Sequence, residues 1–130
     1  MNKLLIFFAA GCVGGFANSL TVWLFGEAGI TTALGVSIAP SLSPAWLYPR
    51  LVWGGIWGLL FILPMHQSRL FLKGTILSIF PTLVQLLVVF PFKAHKGFGG
   101  FELGLLTPVF VLFFNWVWGI ATAMTIRLAK

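Results

Sequence analysis

The chain has 130 residues, of which 59% are hydrophobic and only 8% charged, and its mean hydropathy is +1.04. A soluble domain carries roughly a quarter of its residues as charges, so this composition excludes one and points to an all-α polytopic membrane protein. The formal charge of +6 is scattered without a long basic run, which fits anionic lipid headgroups as its counterpart and not nucleic acid.

Four spans are expected in chain order. The first apolar run, residues 4–25, makes about 33 Å of helix, enough to cross a bilayer and longer than a signal-peptide core. Lys3 and the small residues before Cys12 are therefore read as the start of a span and not as a leader. The lone cysteine leaves no intramolecular disulfide. Gly11, Gly15 and Ser19 repeat at the spacing of one helix face, a surface that lets another helix approach closely.

The first outer loop, residues 26–43, is long and almost uncharged. Within ITTALGVSIA, Ile30, Ala33, Leu34 and Ile38 share one helical face while Thr31 and Ser37 fall elsewhere. This stretch reads either as a short helix, interfacial or re-entrant, or as an irregular surface loop.

The second span covers residues 46–65. Its uncharged part begins only at Leu51 and is too short for a hydrocarbon core of about 30 Å. The span must reach back past Arg50, leaving Trp46 and Tyr48 in the aromatic belt at the membrane surface. Ser43 and Pro44 read as an N-cap followed by proline at the first helical position. Arg50 continues the row of Gly54 and Gly58, so it is expected to face a helix interface and not lipid.

A short turn, HQSR, leads to the third span, residues 70–92, and makes spans 2 and 3 antiparallel neighbours. Pro81 removes a backbone donor and frees a carbonyl near Leu77, so a kink is expected beside Thr82 and Gln85. The glycine-rich second outer loop, KAHKGFGGFE, precedes the fourth span, residues 108–126. That span starts with Thr107 and Pro108 as the second does, and carries Asn115, Gly119 and Ala123 in one row.

With the N-terminus inside, Lys3, Arg69, Lys73, Arg127 and Lys130 are cytoplasmic, and Arg50, Lys93 and Lys96 lie outside. This bias favours both termini in the cytoplasm of a cell (inner) membrane protein, with inverted or dual insertion as the alternatives.

Depth then groups the polar residues. Asn18, Gln85 and Asn115 each lie seven residues from the outer end of their spans, or about 10 Å below the surface. Arg50 and Thr82 adjoin them. This outer layer either fixes helix register through interhelical hydrogen bonds or forms a polar pocket for a small solute, an ion or a headgroup. Arg50 is expected to turn inward, pairing with Glu102 by preference, with Glu27, or with the amides themselves. The inner half holds fewer polar groups, chiefly Thr75, Ser78 and Thr122.

Catalytic chemistry finds little material. The two acidic residues are Glu27 and Glu102, both at the outer edge, and His66 and His95 fall on opposite sides of the membrane, where they cannot share a metal. Ser78 and Lys73 stand on different helix faces. No cofactor, metal site or enzymatic activity is expected.

The segments WGGIWGLLFILP, KGTILSIFPTLVQLLVVFP and FNWVWGIA resemble the glycine and proline punctuation of YagU-like small inner-membrane proteins, over Tyr48 to Ala123. The resemblance implies a four-helix inner-membrane protein without an assigned reaction; relatives of that kind often carry histidine where this chain has Asn115. Proline followed by WG in spans 2 and 4 also suggests two repeated hairpins.

The function expected from this reading is that of a packing subunit, and a channel or carrier is the alternative. The glycine rows Gly11 and Gly15, Gly54 and Gly58, and Gly119 suit an accessory or assembly subunit, in a homo-oligomer or a larger membrane complex. The outer polar layer suits a channel or carrier for a small anion or neutral solute, which would need polar side chains to continue through the inner half.

Overall fold

An apolar run inside a bilayer has no water to satisfy its backbone, so it closes its own hydrogen bonds as a helix. The computed structural model describes residues 3–36, 38, 40–64, 69–93 and 97–129, without the side chains of Lys93, Phe98 and Glu102. The elements are α1 (Lys3–Glu27), the single turn α2 (Ile30–Ala33), α3 (Pro44–Gly58) continued by the 3-10 turn Leu59–Ile62, α4 (Leu70–Leu77), α5 (Ile79–Val84), the π-helical segment Gln85–Lys93, the 3-10 segment Phe98–Leu103, and α6 (Thr107–Leu128).

Four stretches are long and apolar enough to cross a membrane: Lys3–Glu27, Pro44–Ile62, Leu70–Phe92 and Thr107–Leu128. They are spans 1 to 4 of a multi-pass, all-α four-helix bundle. The expected end of span 2 at Met65, the turn residues His66 to Ser68, and Ser37, His95, Lys96 and Lys130 lie outside the described residues.

Span 1 is central, packed along spans 2 and 4, and span 3 lies against span 4. Spans 2 and 3 were expected as neighbours, but their main approach is near the turn, where Leu59–Ile62 meets α4. The physical reason is that the glycine face of span 2 is taken by span 1. A Cβ on Gly11 would stand 2.9 Å from the Cα atoms of Gly55 and Gly58, and one on Gly54 would stand 2.9 Å from the Cα of Gly15. Span 3 uses the same device on span 4: a Cβ on Gly74 or on Gly119 would stand 2.9 Å from the other's carbonyl carbon. The glycine rows are thus spent inside the chain.

Two apolar clusters fill the interior. Ala10, Phe61, Leu77, Trp118, Ala123 and Ile126 form one toward the end that holds the termini. Val22, Val36, Phe110 and Phe114 form the other at the loop end. Asn18 follows Ala10 and precedes Val22 along α1, and Asn115 separates Phe114 from Trp118 along α6, so the amides lie between the two clusters.

Span 3 is broken where proline predicts. α4 stops at Leu77, α5 resumes at Ile79, and the last segment winds as a π-helix that includes Pro91; Pro81 leaves the Leu77 carbonyl without its helical donor. Ser43 caps α3 as expected, its Oγ accepting from the Trp46 N–H at 3.3 Å with Pro44 next in line. The parallel expectation for span 4 fails. α6 begins at Thr107 itself with Leu106 before it, and the Thr107 hydroxyl is buried without a hydrogen-bond partner among the described residues.

The first loop also differs from its sequence pattern. Thr31 is buried, donating to the Ile38 carbonyl at 2.8 Å, while Ile30 and Leu34 are 41% and 51% exposed. One helical turn between Gly29 and Gly35, both at positive φ, is too short for a periodic apolar face to govern its orientation.

Because Gly54 faces backbone and not a yielding side chain, Gly54→Leu is expected to lower bundle stability by at least about 1–3 kcal/mol, the range for overpacking a tight contact. The molecules that remain folded should keep the wild-type native mass in detergent. A stable Gly54→Leu protein of lower native mass would show that the row holds two copies together.

Candidate polar site between the spans

Placing amides and a guanidinium among apolar helices is costly unless they bond to one another. The chain arranges this through one residue or more from each span. Arg50, on α3, donates from Nε to the Ser19 hydroxyl at 2.9 Å and from Nη2 to Asn18 Oδ1 at 2.7 Å. Asn18, on α1, donates from Nδ2 to the Phe114 carbonyl at 2.6 Å and, more weakly, to Asn115 Oδ1 at 3.5 Å. Asn115, on α6, donates to Thr82 Oγ1 at 3.1 Å and to Gln85 Oε1 at 3.3 Å. Thr82 in turn donates to the Ser78 carbonyl at 2.8 Å.

The result is a directed series in which Asn18 and Asn115 each accept with the oxygen and donate with the nitrogen, starting from the cation on span 2 and ending in span 3 at the Ser78 carbonyl, which also accepts the Thr82 N–H at 3.3 Å. Such a series polarises itself, each donor strengthening the next. Asn18, Ser19, Thr82 and Asn115 are buried, while Arg50 and Gln85 are partly so. The indole of Trp46 covers one face of the guanidinium, its ring centre 4.7 Å from Arg50 Cζ.

Arg50 therefore turns inward along the row of Gly54 and Gly58, to hydroxyl and amide oxygens. Among the described residues it makes no ion pair. Glu27 is exposed at the end of α1, and the side chain of Glu102, the preferred carboxylate, lies outside those described.

Two cavities meet at this series. One, of about 390 Å³, lies at the loop end, with Ile38, Pro40, Trp46 and Leu103 around it. The other, of about 280 Å³, lies between spans 2 and 3, with Trp53, Trp57, Pro81 and Val89 on its walls and Asn115 and Trp118 at its back. Asn18, Arg50 and Gln85 line both. A cation with no carboxylate partner among the described residues, flanked by two amides at the junction of two cavities, is suited to receive the negative end of a ligand. Toward the termini the apolar cluster around Phe61, Leu77 and Trp118 closes the interior.

Three participants escaped the sequence. Ser19 was read only as a small packing residue, although it continues the Gly11 and Gly15 row that meets span 2, the span of Arg50. Trp46 was assigned to the aromatic belt. Lys73, counted as a cytoplasmic charge, is only 2% exposed, and its Nζ donates at 2.6 Å to the carbonyls of both Phe61 and Leu63. It satisfies two carbonyls at the end of span 2. The signal was available, because Lys73 falls inside the third expected span just as Arg50 falls inside the second.

No family model, curated protein or solved structure matches this chain.

Arg50→Leu leaves Asn18 Oδ1 and the Ser19 hydroxyl without their charged donor. It should cost about 1–2 kcal/mol of bundle stability, two interhelical bonds of membrane strength. Arg127→Leu, at an exposed side chain over Phe71, should cost less than about 0.5 kcal/mol. Unfolding of both variants in mixed micelles makes the comparison, and equal losses would remove the special role of Arg50.

Proposed function

We propose that this chain is a non-enzymatic, solute-binding membrane protein that holds a small anionic group in the polar layer around Arg50, as the ligand-holding part of a carrier. We place it in the inner membrane with both termini in the cytoplasm, so that the loop-end cavity faces outward. The observation that supports binding is the position of Arg50 at the junction of two cavities, held only by neutral oxygens among the described residues.

Binding is favoured over free conduction. A conduction path requires polar groups or water throughout, and the interior toward the termini is filled by Phe61, Leu77, Trp118 and Ile126. The reading as an accessory or self-associating subunit drew on the glycine rows, and these meet one another within the chain. Asn18, Thr82, Gln85 and Asn115 then position Arg50 and supply secondary contacts to the ligand.

The test uses inorganic phosphate as probe and tryptophan emission as readout, since the Trp46 ring lies against Arg50. The purified protein in neutral detergent is expected to show a saturable change that Arg127→Leu keeps and Arg50→Leu loses. A response that persists unchanged in Arg50→Leu would place the anion elsewhere and refute this function.

A further inference from the structure

The cavity between spans 2 and 3 has an unusual combination of features. Its back is formed by spans 1 and 4, through Asn18 and Asn115, and its walls by spans 2 and 3, through Trp53, Trp57, Pro81 and Val89. Those walls approach closely only near the turn that joins them. A cavity with such walls faces sideways between spans 2 and 3, at the depth of the spans themselves, and meets the loop-end cavity at Arg50. Its lining is mainly aromatic and aliphatic, yet Arg50 and Gln85 stand at its head.

From this we infer that the occupant of the Arg50 site is an anionic phospholipid, its phosphate on Arg50 and an acyl chain lying in the cleft between spans 2 and 3. The inference rests on the reading of Arg50 as an anion site and adds the class of ligand and its route of entry. A hydrated anion gains nothing from Trp53, Pro81 or Val89 and loses its water among them. A phospholipid brings apolar surface that matches the walls and a phosphate that matches the guanidinium in charge and in its planar arrangement of donors. Arg50 retains donors for this role, since Nη1 bonds to none of the described residues while Nε and Nη2 are anchored on Ser19 and Asn18.

Trp57 supplies an independent indication. Its indole Nε1 is buried without a hydrogen-bond partner among the described residues, and the residue lines the cleft two turns beyond Arg50. Buried indole N–H groups ordinarily find an acceptor. A phospholipid carries ester carbonyl oxygens, acceptors that inorganic phosphate cannot extend to this depth.

The experiment places the intact protein in nanodiscs of phosphatidylcholine with increasing phosphatidylglycerol and counts retained lipid by native mass spectrometry. Wild type should retain one phosphatidylglycerol with a preference of roughly five- to tenfold over phosphatidylcholine, the effect of one cation near the headgroup layer. Arg50→Leu and the cleft-filling Val89→Trp should both lose that preference. Because Val89→Trp disturbs a wall of the bundle, a second measurement uses a chain retaining only Trp57, which brominated acyl chains of phosphatidylglycerol should quench more than brominated phosphatidylcholine does.

Loss of the preference in both variants, with selective quenching of Trp57, supports the inference. Preference lost in Arg50→Leu but kept in Val89→Trp, with no selective quenching, overturns the lipid cleft and leaves the anion site standing. Phosphatidylglycerol and phosphate responses that both ignore Arg50 overturn the inference and the proposed function together.

Discussion

The series of hydrogen bonds from Arg50 through Asn18 and Asn115 to Thr82 touches every span of the bundle, and the rest of the interior is arranged around it. Its members are too polar to face lipid and too few to hydrate one another, so each must find its partner on a neighbouring helix. The close approach of spans 1 and 2 across Gly11, Gly54 and Gly58 brings the Arg50 side chain within reach of Ser19 and Asn18. On the other side, the contact of Gly74 with Gly119 sets span 3 against span 4, the pair that carries Thr82, Gln85 and Asn115. Small residues thus act here by positioning polar ones.

The apolar clusters on either side of the series give the molecule two different ends. Toward the termini, Phe61, Leu77, Trp118 and Ile126 fill the space, and Lys73 secures the end of span 2 through two carbonyls. Toward the loops, Val36 and Phe110 close only part of the interior and leave a cavity beside Arg50. Among the described residues, the open space beside Arg50 therefore lies away from the termini. Spans 1 and 4 are joined by Asn18 and by Gly14 against Trp118, whereas spans 2 and 3 leave a cavity between them.

Much of this architecture was legible from the residues, for identifiable reasons. Span positions follow from apolar length, which the bilayer makes decisive. The shared depth of Asn18, Gln85 and Asn115 follows from counting residues along a rigid helix, and the direction of Arg50 follows from its place above Gly54 and Gly58. What failed depended on geometry that no local pattern carries. Thr31 turned inward because a single turn between two glycines obeys its tertiary contacts and not its period. Thr107 did not cap α6, since the helix begins on it. Spans 2 and 3, though joined by a short turn, diverge because a turn fixes proximity at one end only, and helix packing decides the other. Lys73 was counted by its sidedness, and its burial depended on the carbonyls that span 2 happens to leave at its end.

The distribution of bonds also bears on how such a chain enters a membrane. Arg50 finds both of its anchors, Ser19 and Asn18, within the first pair of spans, and Asn115 finds Thr82 and Gln85 within the second. The glycine contacts divide in the same way, Gly11 with Gly54 in the first pair and Gly74 with Gly119 in the second. Each pair can therefore cover its own most expensive groups as it leaves the insertion machinery, before the other has been synthesised or has docked. In the polar series, only the bonds from Asn18 to Phe114 and Asn115 must wait for the pairs to meet. The costliest charge in the outer layer, at Arg50, is never required to sit in lipid alone while the ribosome finishes the chain.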